Sequence, residues 1–106
     1  MAEVYPAPLQ AARMTAALSL GREIIRLRHI ARRFGAGAEL EPAMTAIAAG
    51  DSLRAIRALG RFDQALAMLP ATQPGVKARL RARGTIRTMT ELLRRHADYF
   101  DAEVGK

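Results

Sequence analysis

The stretch of sequence that decides the fold class is residues 17–34, ALSLGREIIRLRHIARRF. Its apolar residues recur every three or four positions, the spacing that places side chains on one face of an α-helix. They are Ala17, Leu20, Ile24, Leu27, Ala31 and Phe34. A second face carries Arg22, Arg26, His29 and Arg33. The pattern predicts a long amphipathic helix that begins just after Pro8 and ends at Gly35, because glycine adopts the left-handed cap conformation without strain.

The rest of the chain repeats this spacing and has no alternating run of Val, Ile and Thr of the kind that forms strands. Pro42 suits the first turn of a short helix that reaches about Ala49, since its missing N–H would be unpaired there. The next helix is expected to start at Asp51-Ser52, where a side-chain oxygen can cap it, and to end near Leu69. The residues predicted on its inward side are Leu53, Ile56, Leu59, Phe62, Leu66 and Leu69.

A last long helix is predicted from Pro74 to about Ala102, after a short linker at residues 71–73. Its predicted inward residues are Leu80, Ile86, Met89, Leu93, Ala97 and Phe100. Short connections favour antiparallel neighbours, so the order long, short, medium, long predicts an all-α, small four-helix up-and-down bundle. We expect residues 1–106 to form a single helical domain, with residues 1–8 as a flexible N-terminal segment.

Composition excludes several classes of protein. Half of the 106 residues are apolar and a quarter are charged, which is typical of a globular chain. The chain has no Cys, which excludes a disulfide scaffold, a Cys-ligated metal site and thiol catalysis. No window approaches the roughly 20 apolar residues that span a bilayer, and the amino terminus lacks a signal-peptide pattern. We therefore expect a cytoplasmic protein with no membrane partner.

Nothing in the sequence predicts catalysis. Glycine-rich phosphate loops, the Gly-x-Ser-x-Gly elbow and the His-Glu-x-x-His motif are all missing. A metal site on a helix needs a second ligand three or four positions from a histidine. His29 is followed at those positions by Arg32 and Arg33, and His96 is preceded by Leu93 and Leu92, none of which binds a metal. The sequence thus predicts no catalytic residue, no metal site, no cofactor and no small-molecule substrate.

The charge is the strongest unusual feature, with a net value of +7 and 15 Arg among 17 basic residues. The excess lies at the two ends, +4 in residues 1–38 and +4 in residues 73–106, with −1 between them. An Arg-rich, Lys-poor composition also follows from a GC-rich coding sequence, so a solvated Arg face is one interpretation. The other is a surface for an anionic partner. Its candidate residues are Arg22, Arg26 and Arg33 on the first helix and Arg79, Arg83 and Arg87 on the last.

Residues 49–56, AGDSLRAI, resemble the turn and second helix of a tetratricopeptide repeat. That family needs about three stacked copies, and no second copy follows at a 34-residue period, so we interpret the match as an ordinary helix–Gly–helix turn. The size, the helix content and the spacing of residues 50–69 are similar to those of flagellar and type III export chaperones. This resemblance implies a protein that binds another protein.

We therefore predict a small non-enzymatic helical bundle that acts by protein–protein interaction, as an adaptor, chaperone or regulator. Its long outer helices exceed their shorter partners, which predicts self-association as a twofold homodimer. The residues predicted for this self-association seam are Leu20, Ile24, Leu27, Met89, Leu93 and Phe100. The alternative is a basic nucleic-acid-binding accessory protein whose Arg-rich helices contact phosphates.

Overall fold

A computed structural model describes residues 7–69 and 75–101 of the chain. It contains five helices: α1 Ala7–Arg33, α2 Gly37–Ala48, α3 Ser52–Ala67, α4 Gly75–Arg95 and α5 Ala97–Phe100. No strand occurs among the described residues. The predicted all-α helical bundle, with helices in the order long, short, medium, long, is confirmed.

Some sequence predictions fall outside the described residues. These are the linker at Ala71–Gln73 with its flanking Pro70 and Pro74, the end of the last helix at Ala102, and residues 1–6 of the N-terminal segment. Ala7 and Pro8 of that segment do lie in α1, so the helix begins slightly before the predicted position. Proline is tolerated in a first turn because the N–H that it lacks has no helical acceptor there.

The ends of α1 and α2 are set by glycine, as predicted. Gly35 and Gly50 have φ of 67° and 71°, the left-handed region that side chains with a Cβ rarely adopt. The Ala36 N–H donates to the carbonyl of Ala31 at 2.8 Å, and an equivalent bond closes α2. These bonds satisfy carbonyls that the helix end would otherwise leave unpaired.

The start of α3 is capped by two carboxylates from different parts of the chain. Asp51 Oδ1 accepts a hydrogen bond from the Arg54 N–H at 3.1 Å, which confirms the predicted cap. Asp101 Oδ1 accepts from the Ser52 N–H at 2.8 Å. Asp101 directly follows α5, so this bond ties the last described residue to the start of α3 across 49 positions.

The bundle is built around α4. Helix α1 packs on one side of α4 and α3 packs on the other, while α2 packs mainly against α3. Helix α1 runs antiparallel to α4, because Arg13 near its start pairs at 3.2 Å with Asp98, beyond the end of α4, while Arg33 at its end lies beside Arg81 in the first half of α4. Helix α3 is also antiparallel, because Ser52 at its start is bonded by Asp101 beyond the end of α4, while Asp63 near its end pairs at 3.7 Å with Arg83. The largest fully buried side chains are Leu27, Leu40, Leu59, Phe62, Leu66, Met89 and Leu93.

Two elements differ from the sequence prediction. Helix α2 begins at Gly37, five residues before the expected Pro42, which lies in the second turn. There the proline gives up a single bond, from its missing N–H to the carbonyl four residues earlier. Helix α4 ends at Arg95, because His96 leaves helical geometry with φ −115° and ψ 30°, and the chain resumes as α5.

Two predicted core residues are wrong. Leu53 is 58% exposed and Leu80 is 63% exposed, although both fitted an apolar stripe. The buried sides of α3 and α4 are formed partly by small residues, which allow helices to approach closely. These are Ser52, Ala55 and Ala58 in α3, and Ala78, Ala82 and Thr85 in α4. The predicted Ile56, Leu69, Ala97 and Phe100 are half-buried.

Candidate functional site

A groove of about 730 Å³ lies between α1 and α4. We call it the α1–α4 groove. From α1 it is lined by Glu23, Ile25, Arg26, His29, Ile30 and Arg33. From α4 it is lined by Arg81, Gly84, Thr85 and Thr88. The groove is therefore formed by the second half of α1 and the middle of α4.

Helical periodicity explains why these residues share the groove. Glu23, Arg26, Ile30 and Arg33 follow one another at intervals of three and four, which makes one continuous side of α1. This side adjoins the buried side that contains Leu27. On α4, Arg81, Thr85 and Thr88 repeat the same intervals, and the antiparallel packing sets them opposite the end of α1. Neither helix forms the site by itself.

The groove combines apolar surface with hydroxyl and cationic groups. Ile30 is half-buried and packs against the core, whereas Ile25 at the outer edge is 68% exposed. Gly84 has no side chain, and a Cβ built there would meet no other atom within 4 Å. The Thr88 hydroxyl donates to the Gly84 carbonyl at 3.1 Å, and both residues line the groove.

The charge of the groove is positive. Three Arg line it, and Glu23 is the one acidic residue in the lining. Glu23 is 12% exposed and pairs with Arg26 at 2.8 Å, so one positive charge is already balanced. Arg33 and Arg81 form no ion pair with an acidic side chain within the described part of the chain. The guanidinium groups of Arg33 and Arg81 therefore remain for a ligand.

The six Arg predicted for partner binding do not form one surface. On α1, Arg26 and Arg33 line the groove, while Arg22 is exposed outside its lining. Arg81 was not predicted as a site residue, because the regular spacing of positions 79, 83 and 87 indicated a row of Arg that does not include it. The spacing of Arg81, Thr85 and Thr88 was the signal that could have found it.

The three Arg residues predicted for partner binding on α4, at positions 79, 83 and 87, differ in their contacts. Arg79 is half-buried and donates to the Leu69 carbonyl at 2.6 Å, which helps to close the end of α3. Arg83 pairs with Asp63, and this contact joins α4 to α3. Arg87 is exposed and lies outside the groove lining. Two of the three guanidinium groups therefore have structural contacts within the chain.

The residues predicted for the self-association seam lie in the core of the single chain. Leu20, Leu27, Met89 and Leu93 are all buried, and Ile24 and Phe100 are partly buried and pack against the same core. A second copy could reach these side chains only if α1 separated from α4. These six residues are therefore covered within the single chain. Among the α1 residues whose side chains the structure describes, the large exposed apolar ones are Met14, Leu18 and Ile25.

The two histidines lie in different surroundings. His29 lines the groove, and His96 makes an edge-to-face contact with Phe100, with ring centroids 6.4 Å apart.

Among residues 7–69 and 75–101, no three His, Asp or Glu side chains are grouped so that they could hold a metal ion. Within the same residues, no helix has the length and apolar character needed to cross a membrane.

Comparison of this chain with protein-family models, with curated proteins and with solved structures found no match.

Proposed function

We propose that this protein acts by binding rather than by catalysis, and that the α1–α4 groove receives an acidic amphipathic helix of another protein. The observation that carries the proposal is the combination of Arg residues on both walls with two isoleucines on the α1 wall. Helix-in-groove recognition uses this combination, with apolar anchors seated in the groove and charged groups at its margins.

The dimensions of the groove suit a short helical segment. Its α1 wall runs from Glu23 to Arg33, which at 1.5 Å per residue is about 15 Å, or roughly three helical turns. A partner helix of that length presents two or three apolar side chains on one face, at positions i, i+3 or i+4, and i+7. Ile25, Ile30 and the open space beside Gly84 offer surface for them.

The charge of the groove selects the sign of the partner. Arg33 and Arg81 lie on opposite walls, so a helix between them would meet a guanidinium group on each side. Arg pairs with carboxylates through two parallel hydrogen bonds, which fixes orientation as well as charge. Ion pairs at an exposed rim contribute modest affinity, so the apolar contacts would supply most of the binding energy and the Arg residues the specificity.

The nucleic-acid alternative is less well supported by the positions of the Arg residues. A phosphate backbone is best followed by a continuous row of cations. The one regular row, on α4, has Arg79 and Arg83 engaged with α3. The groove also has two isoleucines beside its cations, which suits an amphipathic helix better than phosphates.

Fluorescence anisotropy with labelled synthetic peptides tests the proposal. The probe is a helical peptide of about 14 residues made of Glu, Ala and Leu, with Leu at i, i+4 and i+7. We expect it to bind, and we expect a scrambled peptide of equal composition and a version with Lys in place of Glu to bind at least about tenfold more weakly. If neither the register of Leu nor the sign of the charge affects binding, the proposal is wrong.

A matched pair of variants locates the binding surface. Arg81→Glu lies in the groove and should weaken the acidic peptide by about tenfold or more, whereas Arg87→Glu makes the same charge change outside it and should have little effect. Single-stranded and duplex DNA serve as further probes. DNA binding that falls steeply with salt, together with no binding of the peptide, would replace this proposal with the nucleic-acid alternative.

A further inference from the structure

Helix α1 carries a second apolar stripe on the side that faces away from the core. Met14, Leu18 and Ile25 are 63%, 67% and 68% exposed. Gly21 lies between Leu18 and Ile25 on the same side, so the four residues follow at intervals of four, three and four. We call them the outer stripe. We propose that the outer stripe is the contact surface for a second copy of this chain, with the two α1 helices antiparallel.

The spacing of the outer stripe is that of a helix–helix contact. Its intervals of four, three and four average about 3.7 residues, close to the ~3.6 residues of one helical turn, so the stripe stays on one side of α1 along its length. Leu20, Leu27 and Ala31 already cover the opposite side of α1 against the core. A helix with one apolar side suffices for a monomer, and a helix that is apolar on two sides has a second surface to bury.

Gly21 has no packing reason within the described part of the chain. Glycine in a helix interior costs about 1 kcal/mol relative to alanine. A Cβ built on Gly21 would meet no other atom within 4 Å, so nothing in the described chain requires its absence. Close approach of another helix is the usual reason for such a glycine. Unlike Gly60, Gly21 lies within a row of exposed apolar residues, and we assign the approaching helix to a second copy of the chain.

The stripe is complementary to itself when reversed. Its centre lies midway between Leu18 and Gly21, so antiparallel pairing about that centre sets Leu18 of each copy against Gly21 of the other. Met14 of each copy then meets Ile25 of the other. A large side chain thus faces the space left by a glycine, in two symmetry-related places. Parallel pairing would instead set glycine against glycine and leave a gap.

The charge distribution along α1 favours the same arrangement. Before Gly21 the helix has one charged residue, Arg13, which pairs with Asp98 and lies 5.5 Å from the Tyr99 ring centroid. After Gly21 it has five Arg and one Glu. Antiparallel pairing lays the neutral half of each helix along the cationic half of the other, whereas parallel pairing would juxtapose the Arg-rich halves.

The area of the contact sets the expected strength. The outer stripe spans about 17 Å from Met14 to Ile25. A contact of that length along two helices buries less than the ~800 Å² per partner of a standard interface. We therefore expect a weak dimer with a dissociation constant in the micromolar range. Ile25 belongs to both the stripe and the groove, so the tests below use Leu18 and Gly21, which do not line the groove.

Sedimentation equilibrium of the full chain, over a range of concentrations spanning the micromolar region, tests the proposal. We expect a monomer–dimer equilibrium that Leu18→Gln weakens by about tenfold or more. The control is Leu80→Gln, an equally exposed leucine on α4, which should leave the equilibrium unchanged. A mass that stays monomeric at every concentration, or equal effects of the two variants, would overturn the proposal.

An exchange of side-chain sizes tests the packing itself. Gly21→Leu should weaken the dimer by overfilling the space opposite Leu18, and Leu18→Ala should weaken it by removing the apolar contact. The double variant L18A/G21L restores a large residue opposite a small one, and we expect it to recover association. If the double variant is as weak as the sum of the single changes, the antiparallel register is wrong. Peptide binding in the groove is measured separately, so the failure of one proposal leaves the other testable.

Discussion

At the scale of single residues, Gly35 stabilises the end of α1 and Asp51 stabilises the start of α3. Each satisfies backbone groups that a helix end leaves unpaired. Gly35 does so through its positive φ, which allows the chain to turn back and the Ala36 N–H to reach the carbonyl of Ala31. Asp51 does so through its carboxylate, which accepts the Arg54 N–H.

Gly35→Ala and Gly60→Ala should therefore change stability in opposite directions. Alanine at Gly35 would be held at φ 67°, which costs roughly 1–2 kcal/mol. Gly60 lies within α3 with no atom near a built Cβ, so alanine there should raise the free energy of unfolding by up to about 1 kcal/mol. Urea denaturation of both variants measures the difference, and a shift of the same sign in both would contradict this account.

Asp101→Ala tests the bond that joins α5 to α3. It removes the acceptor of the Ser52 N–H, so the free energy of unfolding should fall by about 1 kcal/mol, within the range for helix caps. Asp98→Ala is the matched control, because the Asp98 carboxylate is 73% exposed and pairs with Arg13 at the surface. Exposed pairs contribute little, so thermal melts should show a smaller change for this control.

At the scale of elements, α1 shows why one helix can serve two surfaces. Its residues Leu20, Leu27 and Ala31 bury one side against α4 and the core, and its outer stripe presents apolar residues on the other. The same helix supplies the Arg wall of the groove between these two sides. Stability and binding thus depend on different positions only a few residues apart.

Leu27→Ala and Leu18→Ala separate these roles on one helix. Leu27 is fully buried, so truncation removes core contacts and leaves a cavity, at a cost of about 2–5 kcal/mol. Leu18 is mostly exposed in the single chain, so the same substitution should cost less than about 0.5 kcal/mol at concentrations where the monomer dominates. The measurement is urea denaturation at low protein concentration. A comparable loss in both variants would show that the faces of α1 are assigned wrongly.

The core leucine of α4 should behave like that of α1, and Ile56 should not. Leu93 is buried, so Leu93→Ala is expected to cost about 2–5 kcal/mol. Ile56 is half-buried, which lowers the expectation for Ile56→Ala below that range, although the sequence pattern treated the two positions alike. Leu80→Ala, at an exposed position, provides the baseline in the same denaturation series.

At the scale of the whole molecule, the two proposed contacts should respond differently to salt. Peptide binding in the groove depends on attraction between Arg residues and carboxylates, so added salt should weaken it. Two copies that each carry a net charge of +7 repel each other, so salt should strengthen the dimer or leave it unchanged. Anisotropy and sedimentation at two salt concentrations measure both effects. Dimerisation that weakens with salt would contradict an apolar outer stripe as its main contact.

The sequence by itself determined the features that depend on neighbours along the chain. Helical spacing established the all-α class, and glycine and aspartate located helix ends at Gly35, Gly50 and Asp51, because caps act within a few residues. The apolar stripe of α1 was assigned correctly for the same reason. Its large residues Leu20, Ile24, Leu27 and Phe34 recur at helical intervals over about four turns, and each is buried or packs against the core.

Only the tertiary structure decided which surfaces meet. Leu53 and Leu80 are exposed, and the small residues Ala55, Ala58 and Ala82 are buried in their helices instead. Helices that pack closely need small residues at their contact, and a pattern of large apolar residues does not predict which alanines these are. Arg33 and Arg81 are 48 positions apart in the sequence and share a groove because α1 and α4 pack antiparallel. Arg79 instead bonds the Leu69 carbonyl just beyond α3, and Arg83 pairs with Asp63 in α3. Periodicity divides a helix into sides, and the packing of its neighbours determines which side is covered.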